Sequence, residues 1–155
     1  MRLYLKQRVF SWRDRFTVYD EQGNDRYYVE GEFFSWGKHL HIYDLQNREV
    51  ALVRQKLLTF VPRFAVVIND REVAEVCREI TFFRPKFRVL GPNWDMEGDF
   101  LAHEYQILGS GNPVAAISKQ WFTFGDAYEI NIAPNQNELA VLATVLALDA
   151  CISAN

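Results

Sequence analysis

The chain is poor in the residues that mark several specialised classes. Its two cysteines, Cys77 and Cys151, stand far apart among apolar neighbours. Neither has the spacing of a metal or redox pair, and a small buried thiol is the simpler reading of each. Five prolines and eight glycines in 155 residues exclude a collagen-like or low-complexity chain. Positive charge is not in excess: 17 Lys and Arg stand against 20 Asp and Glu, a formal net charge of −3. That balance argues against a strongly basic nucleic-acid binder, and Trp12, Trp36, Trp94 and Trp121 have no basic stripe between them for base stacking. Charges interrupt the N-terminal MRLYLKQR, so no signal peptide is expected, and no lipidation box occurs. A reducing cytoplasm is the expected compartment. Nucleophile elbows, phosphate-cradling glycine loops, zinc spacings and dinucleotide fingerprints are all missing.

What is present is a globular composition, 49% hydrophobic and 15% aromatic. A domain of this size buries roughly 68–70% of its unfolded surface without needing a disulfide or metal staple. Period-2 alternation dominates the first 132 residues, clearest at Arg15–Tyr19, Tyr27–Phe33, Lys38–Tyr43, Val50–Gln55, Phe64–Ile68 and Phe87–Leu90. Turn chemistry separates these runs at Asp20–Asp25, Gln46-Asn47, Asn69-Asp70, Gly109–Pro113 and Gly125-Asp126. Asn69-Asp70 has the residues of a tight hairpin, because both tolerate positive φ. Many short strands at this spacing predict an antiparallel barrel or sandwich, with no linker to divide it.

The strand region also repeats. Val29–Phe33 (VEGEF) resembles Met96–Phe100 (MEGDF), Phe16–Val18 echoes Phe87–Val89, Val50–Val53 echoes Val114–Ile117, and Phe64–Ile68 aligns with Tyr128–Ile132. One duplicated β unit would give this pattern, with halves at about 1–70 and 71–133 of a single domain over 1–155. After Pro134 the pattern changes. Residues from Glu138 to Ile152 favour helix, Asn137 suits an N-cap, and Thr144 is the only polar side chain between Leu139 and Leu148. A helix apolar on every side must be buried on every side. Its uninterrupted apolar run of about ten residues falls short of the roughly 20 that cross a bilayer. A helix over about 137–152, threaded through the barrel as its core, is therefore predicted. Leu139, Val141, Leu142, Val145, Leu146 and Leu148 would supply roughly 9–18 kcal/mol of gross burial.

Three stretches make the chain recognisable: Lys6–Asp20 (KQRVFSWRDRFTVYD), Val29–Phe33, and Ser118–Ile132 (SKQWFTFGDAYEINI), together with Leu146–Ala150 near the end. These resemble the LURP-one-related family, which belongs with the Tubby C-terminal-like domains and the phospholipid scramblases. The resemblance spans essentially the whole chain. It implies a closed antiparallel barrel of about twelve strands, in two repeated halves, around a hydrophobic C-terminal helix. It further implies a link to lipids, since Tubby-like domains bind membrane phosphoinositides through basic side chains on the barrel. The cysteine-rich acylation stretch of scramblases is absent here, so lipid scrambling is not implied.

Among the polar patterns, Arg84-Pro85-Lys86-Phe87-Arg88 stands out. At period 2 its three cations would share one strand face, with Pro85 marking a strand start or edge. Such donors can hold a phosphorylated headgroup or another multivalent anion, and Arg54 with Lys56 forms a smaller version. The plainer alternative is a solvated strand face. His39 and His41 would share a face and bind metal only if a third ligand arrived, His103 being the remaining histidine; two exposed strand histidines are commoner. Asp95, Glu97 and Asp99 offer calcium oxygens without EF-hand spacing. Glu97 and Asp99 also occupy the repeat positions of Glu30 and Glu32, which favours a structural role. Asp149, ending the apolar helix, should emerge at the barrel mouth and accept bonds from loop amides or an arginine.

No metal or cofactor is expected. The leading reading is a non-enzymatic binding module for anionic phospholipid headgroups or a similar anion, through Arg84, Lys86, Arg88, Arg54 and Lys56. It would be cytoplasmic and peripheral to the membrane, with no nucleic-acid partner and no transmembrane span. A protein-interaction scaffold and an enzyme with its site near Asp149 are the alternatives.

Overall fold

The computed structural model describes residues 1–6, 15–34, 36–122 and 125–154. In chain order the strands are β1 (Arg2–Lys6), β2 (Arg15–Tyr19), β3 (Asp25–Phe34), β4 (Gly37–Tyr43), β5 (Glu49–Gln55) and β6 (Arg63–Ile68). Then follow β7 (Arg71–Glu79), β8 (Lys86–Leu90), β9 (Trp94–Asp99), β10 (Glu104–Gly109), β11 (Asn112–Phe122), β12 (Gly125–Ile132) and the helix α1 (Glu138–Ser153). Each strand pairs antiparallel with its chain neighbour, and β1 closes the barrel on β12 through Leu3 opposite Ile130 and Leu5 opposite Tyr128. Closure removes the free edges that an open sheet of this length would expose. The expected barrel is therefore found, with the strand runs within a few residues of their expected bounds.

The Asn69-Asp70 hairpin has both residues in the left-handed region, φ 52° and 59°, as a two-residue loop matched to strand twist requires. Two expected turns differ. Asn112 and Pro113 already belong to β11, and the turn is Ser110-Gly111. Pro113 is tolerated there because it faces Leu108 at a shift in register, where a ladder bond is already lost. Gly125 and Asp126 pair with Phe122 and Trp121 as strand, so the connection falls on 123–124, outside the described residues. The 7–14 part of the recognition stretch, with Trp12, also lies outside them. The repeated segments fall on strands six apart: β2 and β8, β3 and β9, β5 and β11, β6 and β12.

Alternation directs Leu40 and Ile42, Val53, Phe64 and Val66, Val76, Val89, Ile107, and Ile130 and Ile132 into the lumen, where α1 runs. Inward-facing Gly31, Ala51, Ala74 and Ala115 leave the helix room beside the larger residues. Ten of the helix residues, from Val141 to Leu148 and then Ala150 and Cys151, are buried, so its apolar composition matches its surroundings on all sides. Asn137 caps the helix, its side chain accepting from the Ala140 amide at 2.9 Å. Beside it, Glu138 accepts two bonds from Arg26, at 2.8 and 3.0 Å, and one from the Tyr27 hydroxyl at 3.1 Å. Burial and then Glu138 push the Tyr27 phenol up to about 12. Thr144, the polar intrusion, satisfies its own hydroxyl by donating to the Ala140 carbonyl at 2.7 Å. No helix among the described residues is long and apolar enough to cross a membrane.

Because the helix is the core rather than an appendage, trimming it should cost the stability of a central packing residue. Leu146→Ala is expected to lose about 2–5 kcal/mol in urea unfolding, whereas Asn137→Ala should lose only about 1 kcal/mol.

Candidate functional site

The connections alternate between the two barrel ends, and the C-terminus of α1 emerges where β7 leads into β8, with Ile152 beside Arg84 and Pro85. Here the cationic pattern resolves differently from a uniform strand face. Arg84 lies in the bend before β8, which begins only at Lys86, because Pro85 cannot supply a ladder amide. Lys86 and Arg88 do share the outer face, exposed, with Phe87 and Val89 directed inward. Both lean toward one carboxylate across the strand pair: Glu79 is 3.6 Å from Lys86 Nζ and 3.3 Å from Arg88 Nε. Arg54 and Lys56 are separated in the same way. Arg54 stays exposed on β5 opposite His39, while Lys56, just beyond β5, sits between Glu72 at 2.9 Å and Glu75 at 2.7 Å. Glu75 also takes Arg63 at 2.9 Å. Burial alone would raise the Glu75 carboxyl, but the bonds from Lys56 and Arg63 hold it below the usual carboxylate range. These two cations are anchored by the barrel wall, whereas Arg84 has no such carboxylate within 4.0 Å among the described residues.

Arg84 instead lines a cleft of about 640 Å³ with Arg78, Phe87, Asp99, Phe100 and Ile152. Phe87 and Phe100 form its apolar wall, edge to face with centroids 5.1 Å apart. Gly98 lets β9 pass close at the base of the cleft; a Cβ there would lie 2.5 Å from the Glu104 carbonyl, and the residue has φ 135°. Arg78 was not visible as a site residue in the sequence reading, although a signal existed. Ala74, Val76 and Arg78 form the inward series of β7, and Arg78 stands opposite Phe87 where that series reaches the rim. An arginine ending an inward apolar series points its head toward the mouth. Like Arg84, it has no carboxylate within ion-pair distance among the described residues.

The helix end has its own polar cluster. Tyr128 donates to Asp149 at 2.6 Å, and His103 Nε2 lies 3.3 Å from the other carboxylate oxygen. The His103 ring stacks on Tyr128, centroids 4.3 Å apart. Thus Asp149 is met by a phenol and an imidazole, not by the loop amides or arginine expected of it. Burial and then Asp149 push the Tyr105 and Tyr128 phenols well above their ordinary value. The Tyr105 hydroxyl is buried without a partner among the described residues. Asp149 and His103 do not line the cleft.

The other candidates remain apart. His41 sits between Glu49, which its Nδ1 bonds, and Glu32, 3.3 Å from its Nε2. His39 is 6.2 Å from it, ring to ring. Asp95, Glu97 and Asp99 are exposed on β9, and Asp99 accepts from the Ala102 amide at 3.1 Å. No group of three or more His, Cys, Asp or Glu side chains is gathered for a metal among the described residues. Cys77 and Cys151 are both buried and free, and burial first of all pushes the Cys151 thiol up to about 12.

A closed twelve-stranded barrel wrapped around a C-terminal helix is a Tubby-like fold. It superposes on an Arabidopsis thaliana protein solved by X-ray crystallography with a TM-score of 0.71, at 18% identity, covering 96% of this chain and 89% of that one. The chain belongs to the LURP-one-related family, whose family model matches residues 1–149. It is 35% identical over 147 residues to the uncharacterised protein YxjI of Bacillus subtilis, covering 95% of this chain and 91% of that protein.

The Tyr128–Asp149 bond ties the helix end to β12. Tyr128→Phe should cost about 1–3 kcal/mol by orphaning a carboxylate oxygen. In a cycle with Asp149→Ala, urea unfolding should give a coupling of about 0.5–3 kcal/mol, whereas additive losses would show that the bond ties nothing.

Proposed function

We infer that the protein is a non-enzymatic binding module whose ligand is an anionic phospholipid headgroup, taken into the cleft at the Asp149 end of the barrel. The observation that carries this reading is that two guanidinium groups, Arg78 and Arg84, line one cleft with no carboxylate ion-paired to either among the described residues. Guanidinium forks match the oxygens of a phosphate, and the aromatic wall gives the glycerol and first methylenes an apolar surface. Lys86 and Arg88 stand on the adjoining outer face and share the single charge of Glu79. Arg54 contributes at longer range, whereas Lys56 is neutralised by Glu72 and Glu75. Family membership supports a lipid ligand over other anions, because the Tubby-like group includes phosphoinositide binders. An enzyme centred on Asp149 is the weaker reading: its tyrosine and histidine partners fasten the helix end, and the trio stands outside the cleft.

Co-sedimentation with vesicles tests this, comparing phosphatidylcholine alone with mixtures bearing phosphatidylserine or a phosphoinositide, at low and physiological salt. Each cation near an anionic surface contributes about 1 kcal/mol. Arg78→Glu with Arg84→Glu should therefore weaken binding by more than about tenfold, and salt should weaken the native protein. Equal binding to neutral and anionic vesicles, or full binding by the folded double variant, would falsify the headgroup reading.

A further inference from the structure

Among the described residues, the connections at the two barrel ends differ in kind. At the Asn137 end the turns are DEQGN (20–24), DLQNR (44–48), ND (69–70), GPN (91–93) and SG (110–111), bearing the carboxylates Asp20, Glu21, Asp44 and Asp70. At the Asp149 end three successive connections read KLLTFVP (56–62), ITFFRP (80–85) and FLAH (100–103), with no carboxylate in any of them. Their tips are apolar and bare: Leu58 is 106% exposed, Phe60, Phe82 and Phe83 are each 97%, Ile80 is 75% and Leu101 is 72%. Single exposed apolar residues need no explanation, but a run of them confined to one end does.

The three connections are continuous. The Arg78 amide donates to the Pro62 carbonyl at 3.3 Å, joining the first to the second. The cleft runs from Arg84 to Phe100 and Leu101, joining the second to the third. Within them the threonine hydroxyls are satisfied internally: Thr59 donates to the Val61 carbonyl at 2.7 Å and Thr81 to the Arg84 carbonyl. Polar groups already paired inside a loop cost less when the loop leaves water. Leu58 holds its exposed side chain from a left-handed backbone, φ 59°, which a branched residue rarely adopts.

We propose that these three connections insert into the headgroup and upper acyl layer of an anionic bilayer, standing the barrel on its Asp149 end. This rests on the headgroup reading and adds to it a depth, an orientation and an apolar contribution. The charge pattern selects the occupant. Ile80, Phe82 and Phe83 lead, and Arg84 follows directly behind them, so that apolar tips below the phosphates place a guanidinium at phosphate level. The carboxylates of the opposite end are then kept farthest from the anionic surface.

The test labels one introduced cysteine at a time with an environment-sensitive dye, at Phe83→Cys, Leu101→Cys or, at the opposite end, Gln22→Cys. The buried native thiols leave the introduced one as the reactive group. On phosphatidylcholine–phosphatidylserine vesicles carrying brominated acyl chains, the dyes at 83 and 101 should be quenched and the dye at 22 should not. Leu58→Gly combined with Phe82→Ser and Phe83→Ser should weaken binding by at least about tenfold. Glycine suits the backbone at 58, and both phenylalanines are outside the core, so the variant is expected to fold, which urea unfolding checks. Full binding by that variant with no quenching at 83 or 101 overturns insertion, while loss of binding in Arg78→Glu with Arg84→Glu leaves the headgroup reading standing. Failure of the native protein to bind any anionic vesicle overturns both. A dimer in sedimentation velocity that the apolar variant dissolves overturns the bilayer as occupant in favour of a second copy of the chain.

Discussion

The burial of a helix with no polar face is the constraint on which the rest of this molecule depends. Leu142 and Leu146 lie on one side of α1 and Leu148 on nearly the opposite side, yet all three are fully buried. No single sheet face could cover them all, since a sheet covers one side of a helix only. A barrel wide enough to admit the helix can do so, and its wall supplies small residues such as Gly31, Ala51, Ala74 and Ala115 where the helix must fit. The dependence is mutual, because without the helix a twelve-stranded barrel of this width would enclose a void lined by valine, leucine and isoleucine.

The ends of the helix are fixed by polar contacts that the core cannot provide. At one end Asn137 caps the first turn and Glu138 binds Arg26 and Tyr27 of β3. At the other, Asp149 takes Tyr128 from β12 and approaches His103 from the connection after β9. A helix buried in an apolar lumen has little to fix its depth or rotation, since one leucine packs much like another. Directional bonds at both ends set that register.

Much of this was legible in the chain. Alternation gave most strands, the Asn69-Asp70 pair gave its hairpin, and the lack of a polar face between Leu139 and Leu148 led directly to a threaded helix. Such features are local, so sequence carries them. The site was legible only in part. Lys86 and Arg88 do share a face, but their common partner Glu79 lies on the adjoining strand, and spacing within one strand says nothing of a neighbour's charges. Lys56 was equally visible as a cation, yet Glu72 and Glu75, which hold it, come from β7. Arg78 was missed because it reads as one more surface charge until its place in the series Ala74, Val76, Arg78 is combined with the location of the barrel mouth. The partners of Asp149 required contacts across 21 and 46 positions of the chain.

Closure of β1 on β12 has a further consequence, for how such a chain comes to fold. The pairing Leu5 to Tyr128 joins residues from opposite ends of the strand region, and the helix that fills the lumen follows every strand in sequence. Hairpins such as β6–β7 can form early, but each is only a curved ribbon whose apolar face has nothing yet to cover it. The β1–β12 closure and the helix contacts span most of the chain and must come late, and a chain emerging from its N-terminus must carry most of its valines and isoleucines in water until α1 is made. Truncation just before Asn137 should therefore send the chain toward aggregation rather than to a smaller barrel.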